Sequence, residues 1–199
     1  MVGSSASTHR IKELKWVRHN GIAYFLQESQ RVHFNLAEQT GSWHSINSKY
    51  NDRPLTKEVF KLWIDHVNAP IKEKYAYILV PGITDNETAK LYPIENLKII
   101  ANNSMHQAVC HAILDIYQII FYSTGQVNYK DFSVSVNIPS VLQLEQNNNV
   151  SIADPVQKYT KAEVTITCKN KTYAKTVQLP SGGNASATRT LTLETTNFK

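Results

Sequence analysis

Cysteine is almost absent from this sequence: Cys110 and Cys168 are the two in 199 residues. A disulfide-stapled scaffold carries many more at close spacing, so that class is excluded. The two thiols fall in separate stretches, read as separate domains, and are expected to stay reduced, buried and unbridged. Long hydrophobic runs are missing too. Nothing approaches the ~18 consecutive apolar residues of a membrane-crossing helix, so no membrane partner is expected. The glycine-rich loop that cradles phosphate, the serine elbow of hydrolases, and RNP-like, zinc-finger and helix-turn-helix spacings are also lacking. With 21 Lys and Arg against 16 Asp and Glu the net charge is +5 and the pI is near 9.1, but the basic residues are scattered. Such a balance tolerates a polyanionic partner without specifying one, and nucleic acid is not expected. The opening octet "MVGSSAST" has neither the basic start nor the apolar core of a signal peptide. Residues 1–8 read as a flexible leader or an expression scar.

What is present is ordinary globular material, 42% hydrophobic and 19% charged, long enough to bury a core in one large or two small domains. From Trp16 onward, short segments of period two alternate with turn chemistry, the pattern of an all-β, antiparallel sandwich. Asn20-Gly21 is a strong hairpin signal ahead of "GIAYFLQ". "RVHFNLAEQ" puts Val32, Phe34 and Leu36 on one face. The stretch "TKEVFKLWIDHV", residues 56–67, is rich in helix formers, but neither period fits it cleanly. Its neighbour "YAYILVPG" is aromatic, β-branched and stopped by Pro81-Gly82, so an antiparallel pair of 56–67 with 75–80 is the reading adopted, both faces of the first strand being largely buried. "LKIIANN", "QAVCHA" and "LDIYQIIFYS" continue the sheet pattern, although "SMHQAVCHAILDIYQIIF" would also pass for a helix on composition. "GQVNYKDFSVSVN" reads as a junction, beyond which Thr, Asn and Lys alternate with Val, Ile and Leu. The expected division is a large β-sandwich domain over 9–130 and a small C-terminal one over 131–199. The strands expected in the latter are "SVLQLEQ", "AEVTITCK", "KTYAKTVQL" and "ATRTLTLET", with hairpin turns at "NNN", "KNK" and "SGGN".

Chemistry-bearing residues are sparse. His106, Cys110 and His111 have the donor types of zinc, but on a strand His111 points away from the other two and no second pair of ligands exists elsewhere, so no metal site and no cofactor are expected. The same alternation keeps Cys110 and His111 from sharing a proton as nucleophile and base. Asp65-His66 is read as a polar pair at a strand end, since no third partner accompanies it. In "TGSWHSIN", Trp43 and His44 lie in a polar stretch where an indole could stack on a sugar ring and Asn47 could bond hydroxyls; a packing anchor is the other reading of the Trp. These three are the candidate substrate-binding residues. The sequons at Asn86, Asn102, Asn149, Asn170 and Asn184 carry meaning only in a secreting eukaryote.

The order "TGSWHSIN", "EVFKLWIDHV", "YAYILVPG", "ANNSMHQAV" resembles the β-sandwich region of the family 8 polysaccharide lyases, most closely the chondroitin AC lyases, with hyaluronate and xanthan lyases more distant. "SIADPVQKYTKAEVTI" and "KTVQLPSGG" resemble their small C-terminal sandwich, and the similarity covers about residues 12–199. The resemblance implies a secreted or periplasmic bacterial enzyme that cleaves uronic-acid-containing glycans, an acidic polysaccharide, by β-elimination. It also implies that the catalytic Asn, His, Tyr and Arg sit in an N-terminal α/α toroid, so none is carried over onto this chain. The expected role is then scaffold and cleft wall, inactive alone. An autonomous carbohydrate-binding or adhesion sandwich is the alternative.

Overall fold

The computed structural model describes residues 7–11 (backbone only), 14–26, 31–66, 68–145, 148–169 and 171–193. Among the described residues the fold is all-β apart from one short helix and three single turns of 3-10 helix. It forms two compact units, Met1–Tyr92 and Pro93–Lys199.

The first unit contains β1 (Ser7–Ile11), β2 (Trp16–His19), β3 (Ile22–Leu26), β4 (Val32–Gly41), β5 (Leu55–Ile64), β6 (Tyr77–Pro81) and the helix α1 (Asn86–Leu91). Two three-stranded antiparallel sheets result, ordered β1-β4-β5 and β2-β3-β6. The β2–β3 hairpin closes at Asn20 and Gly21, whose φ of 44° and 76° are the paired left-handed values that a type I′ turn demands. Val32 and Phe34 of β4 are buried as alternation requires. Phe60 of β5 joins the sheets: its ring lies 4.6 Å from His19, 5.6 Å from Tyr24 and 6.4 Å from Phe34. The other face of β2-β3-β6 is covered near α1, where Tyr92 stacks on Phe25 at 5.3 Å and Ala89 is fully buried. Asp85 starts that helix by accepting the Thr88 amide and hydroxyl, both at 2.7 Å.

Residues 55–64 are a strand, as expected, but the partner is different. β5 pairs residue for residue with β4, from Val32↔Ile64 to Gly41↔Leu55, while β6 pairs with β3 in the other sheet. The hairpin register puts Phe60, Leu62 and Ile64 on the same face as Leu36, Phe34 and Val32, which joins two apolar sets that pairing with 75–80 would have separated. The opposite face of β5 is not buried: Leu55, Lys57, Lys61 and Trp63 are exposed. Val67 lies outside the described residues. The leader expected over 1–8 is also shorter than that, because Ser7 and Thr8 pair with Leu36 and Asn35; residues 1–6 lie outside the description.

The second unit holds β7 (Leu97–Asn102), β8 (His106–His111), β9 (Ile116–Phe121), β10 (Gly125–Tyr129), β11 (Phe132–Val136), β12 (Ser140–Leu144), β13 (Asn149–Ala153), β14 (Lys161–Cys168), β15 (Lys171–Gln178) and β16 (Arg189–Thr192). A six-stranded sheet, β16-β13-β12-β9-β8-β7, packs on a four-stranded one, β10-β11-β14-β15. Ile119, Leu142, Leu144, Val150 and Ile152 from the first meet Val127, Val134 and Ile166 from the second in a continuous core. Each such aliphatic side chain contributes about 1.5–3 kcal/mol on burial.

This topology moves the domain boundary expected at 130/131 to 92/93. β9 pairs with β12, and β10 pairs with β11 through the turn at Lys130 and Asp131, so the stretch read as a junction is a hairpin inside one unit. The helical alternative over 104–121 fails, for the chain forms β8, a turn with Asp115 at φ 50°, and β9. β12 and β13 pair across the "NNN" turn and β14 and β15 across "KNK", although Gln146, Asn147 and Asn170 lie outside the described residues. "SGGN" is not a hairpin turn. Its 3-10 turn, Gly182–Asn184, carries the chain from β15 in one sheet to β16 in the other, where Leu191 pairs with Val150.

Candidate functional site

The loop joining β4 to β5 carries all three candidate residues. Gly41 ends β4, and a 3-10 turn over Trp43–Ser45 follows. Short local bonds hold the loop: the Ser42 hydroxyl donates to Asp52 at 2.6 Å, the Ser45 hydroxyl to the Ser42 carbonyl at 2.6 Å, and the Arg53 amide to Asn51 Oδ1 at 3.1 Å. A loop built this way presents its side chains without further ordering, which lowers the entropy cost of binding.

Trp43 is 60% exposed, so it is not a packing anchor. Its ring lies 6.5 Å from that of Tyr50, itself 59% exposed, at an interplanar angle of 48°. His44 Nδ1 lies 2.8 Å from the Tyr50 carbonyl oxygen, which only accepts, so Nδ1–H is the donor and Nε2 carries the lone pair of the neutral ring. Asn47 accepts the Lys49 amide at 3.0 Å through Oδ1, leaving its –NH₂ as the group for a ligand. The loop therefore offers two aromatic faces, one imidazole acceptor and one amide donor. That set suits the apolar faces and hydroxyl groups of a sugar.

The other candidates are placed less suggestively. His106 packs against Phe121 at 6.0 Å, Cys110 is buried, and His111 Nδ1 accepts the Leu114 amide at 3.2 Å. Among the described residues, no group of three or more His, Cys, Asp and Glu is gathered as a metal site. Burial pushes the Cys110 thiol up from its ordinary pKa, against a hydrogen bond from Tyr129 and the charge of Lys130, which suppresses the nucleophilic thiolate.

Asp65 and His66 each stand near a different neighbour. Asp65 Oδ2 lies 3.5 Å from His33 Nε2, whereas His66 Nδ1 lies 3.7 Å from Glu73 Oε2. The cause is the register: Asp65 continues the ladder of β5 through its amide bond to the Arg31 carbonyl, which puts it on the face of Trp63 and diagonal to His33. Trp63 in turn stacks on the His33 ring at 5.3 Å and 10°. Sequence reasoning missed this His33–Trp63–Asp65 group, and knowledge of the β4–β5 register would have found it.

Residues 2–92 match the polysaccharide lyase family 8 super-sandwich domain, and residues 98–163 match the C-terminal beta-sandwich domain of the same family. Chondroitinase-AC of Pedobacter heparinus is 33% identical over 154 residues, covering 76% of this chain and 22% of the relative. Hyaluronate lyase of Thermasporomyces composti is 26% identical over 160 residues, covering 78% and 20%. The structure of a chondroitinase AC lyase, solved with oligosaccharides, superposes with a TM-score of 0.86 at 30% identity, covering 96% of this chain and 29% of that one. A Streptomyces coelicolor chondroitin AC lyase in complex with chondroitin sulphate shares the fold, with a TM-score of 0.64 at 18% identity over 82% of this chain and 22% of that one. The chain thus spans less than a quarter of the length of these curated relatives.

Proposed function

The chain belongs to polysaccharide lyase family 8, and on that premise we propose that it is the C-terminal β-sandwich portion of a glycosaminoglycan lyase of the chondroitin or hyaluronan type. The observation that carries this reading is the order of the two matched domains, super-sandwich then C-terminal sandwich, along a chain 33% identical to a chondroitinase. Lyases of this kind break the glycosidic bond by β-elimination. A base takes the proton from the carbon beside the uronate carboxylate, and a second group neutralises the negative charge that grows there. In this reading those groups belong to an α/α-toroid domain outside these 199 residues, and the present sandwich is its scaffold and one wall of the cleft. The packing of His106 against Phe121 and the bond from the Leu114 amide to His111 Nδ1 support that division of labour. The loop at 42–54 is the contact with the polymer: Trp43 stacks on a ring, His44 Nε2 accepts from a hydroxyl and the Asn47 amide donates. A secreted or periplasmic location follows from a polymeric extracellular substrate.

The test is the ultraviolet absorbance of unsaturated uronate ends, measured with chondroitin and hyaluronan. The expected result is no product from the chain alone and turnover when a separately expressed toroid domain is added. Product from the chain alone would put the catalytic groups inside it and overturn the scaffold role. Glycan binding without any restored turnover would favour an autonomous binding module.

A further inference from the structure

We propose that the outer face of the β4–β5 ribbon is a second contact surface for an acidic polysaccharide, separate from the loop at its tip and resting on the substrate class given above. Alternation in β5 sends Leu55, Lys57, Val59, Lys61 and Trp63 to one face and Glu58, Phe60, Leu62 and Ile64 to the other. Their partners on the first face are Gly41, Gln39, Ala37, Asn35 and His33. That face is therefore cationic. Its one carboxylate, Asp65, stands 3.5 Å from His33, while Glu38 and Glu58 pair across the opposite face.

Trp63 is 43% exposed and is held flat by its stack on His33, so it offers a fixed aromatic surface instead of a rotating one. Lys61 is also directed along the face, since its Nζ donates to Gln39 Oε1 at 3.2 Å. Lys57 stands directly opposite Gln39 in the register. At the rise of a β-strand, Lys57 and Lys61 are ~13 Å apart and Trp63 lies ~7 Å beyond Lys61, a nearly straight track along the ribbon. An extended polymer with carboxylate or sulfate groups at intervals matches that track. A sugar ring lies on Trp63, and the two ammonium groups pair with successive anionic substituents.

Isothermal titration of chondroitin sulfate oligosaccharides into the 199-residue chain, at low and at physiological salt, tests this. The expected results are a loss of about fivefold or more in affinity for K57Q/K61Q, with a flatter salt dependence, and a loss of about three- to tenfold for Trp63→Ala with the salt dependence kept. Neutral dextran should not bind. K57Q/K61Q removes no packed side chain, so it remains decisive even if Trp63→Ala disturbs His33, which a melting curve reports. Undiminished binding by K57Q/K61Q, or no binding by the parent chain, overturns the proposal. Lysine-dependent binding with no turnover after toroid addition would sustain this surface and sink only the lyase reading.

Discussion

Asp154 accepts the backbone amide of Tyr159 at 2.8 Å, closing the loop between β13 and β14 around a fully buried carboxylate. The amides of Lys158 and Val156 donate to the same group at 2.8 and 2.9 Å. Burial pushes this carboxyl up, but the Tyr159, Lys158 and Val156 amides together outweigh it and leave the pKa below the ordinary 3.8. A depressed folded-state pKa means stability that is present above the ordinary value and is lost as pH falls through it and below. Asp154→Ala should cost about 3 kcal/mol at neutral pH, the scale of orphaning several amides from a charged acceptor. In urea titrations the gap between parent and variant should shrink at pH 3; an unchanged gap would remove the charge from the explanation.

Gly21 occupies φ 76° in the β2–β3 turn, and a Cβ built there meets nothing within 4 Å. Any penalty on substitution is thus backbone strain and not collision. Gly21→Ala should destabilise by about 1 kcal/mol, visible as a lowered melting temperature. Asn20→Gly, at φ 44°, should be close to neutral.

Cys110 and Cys168 are free and buried, and burial raises the pKa of both thiols. Ellman's reagent should find almost no reactive thiol in the native chain at pH 8 and two in denaturant without reductant. The expectation of no bridge survives, but not its reason, since both residues lie in the second unit.

Trp43→Ala removes a side chain with little packing to lose. Its stability should stay within about 0.5 kcal/mol of the parent, while affinity for chondroitin oligosaccharides falls. A drop in melting temperature of many degrees would instead make Trp43 a structural residue.

Period and turn chemistry made the strands legible: "FSVSV" is buried at Phe132, Val134 and Val136, and Asn20-Gly21 forms the expected turn. Period two reports which way a side chain points, but not which strand lies beside it. Hence the partner of β5, the boundary at Tyr92 and the crossover at Gly182–Asn184 escaped. α1 spans only six residues, too few for a helical period to show. Trp43, His44 and Asn47 share one loop and could be grouped from sequence, whereas His33 and Asp65 meet only through the register of two strands.

β16 reaches its place late. β13, at 149–153, finds its outer neighbour only when residues 189–192 arrive. During synthesis the second unit must therefore wait through the whole of β14 and β15 with one side of β13 unpaired. In that interval Asn149–Ala153 is a template for any passing strand, and the arrival of β16 shifts the open edge from this well-buried five-residue strand to a four-residue one with mostly exposed side chains.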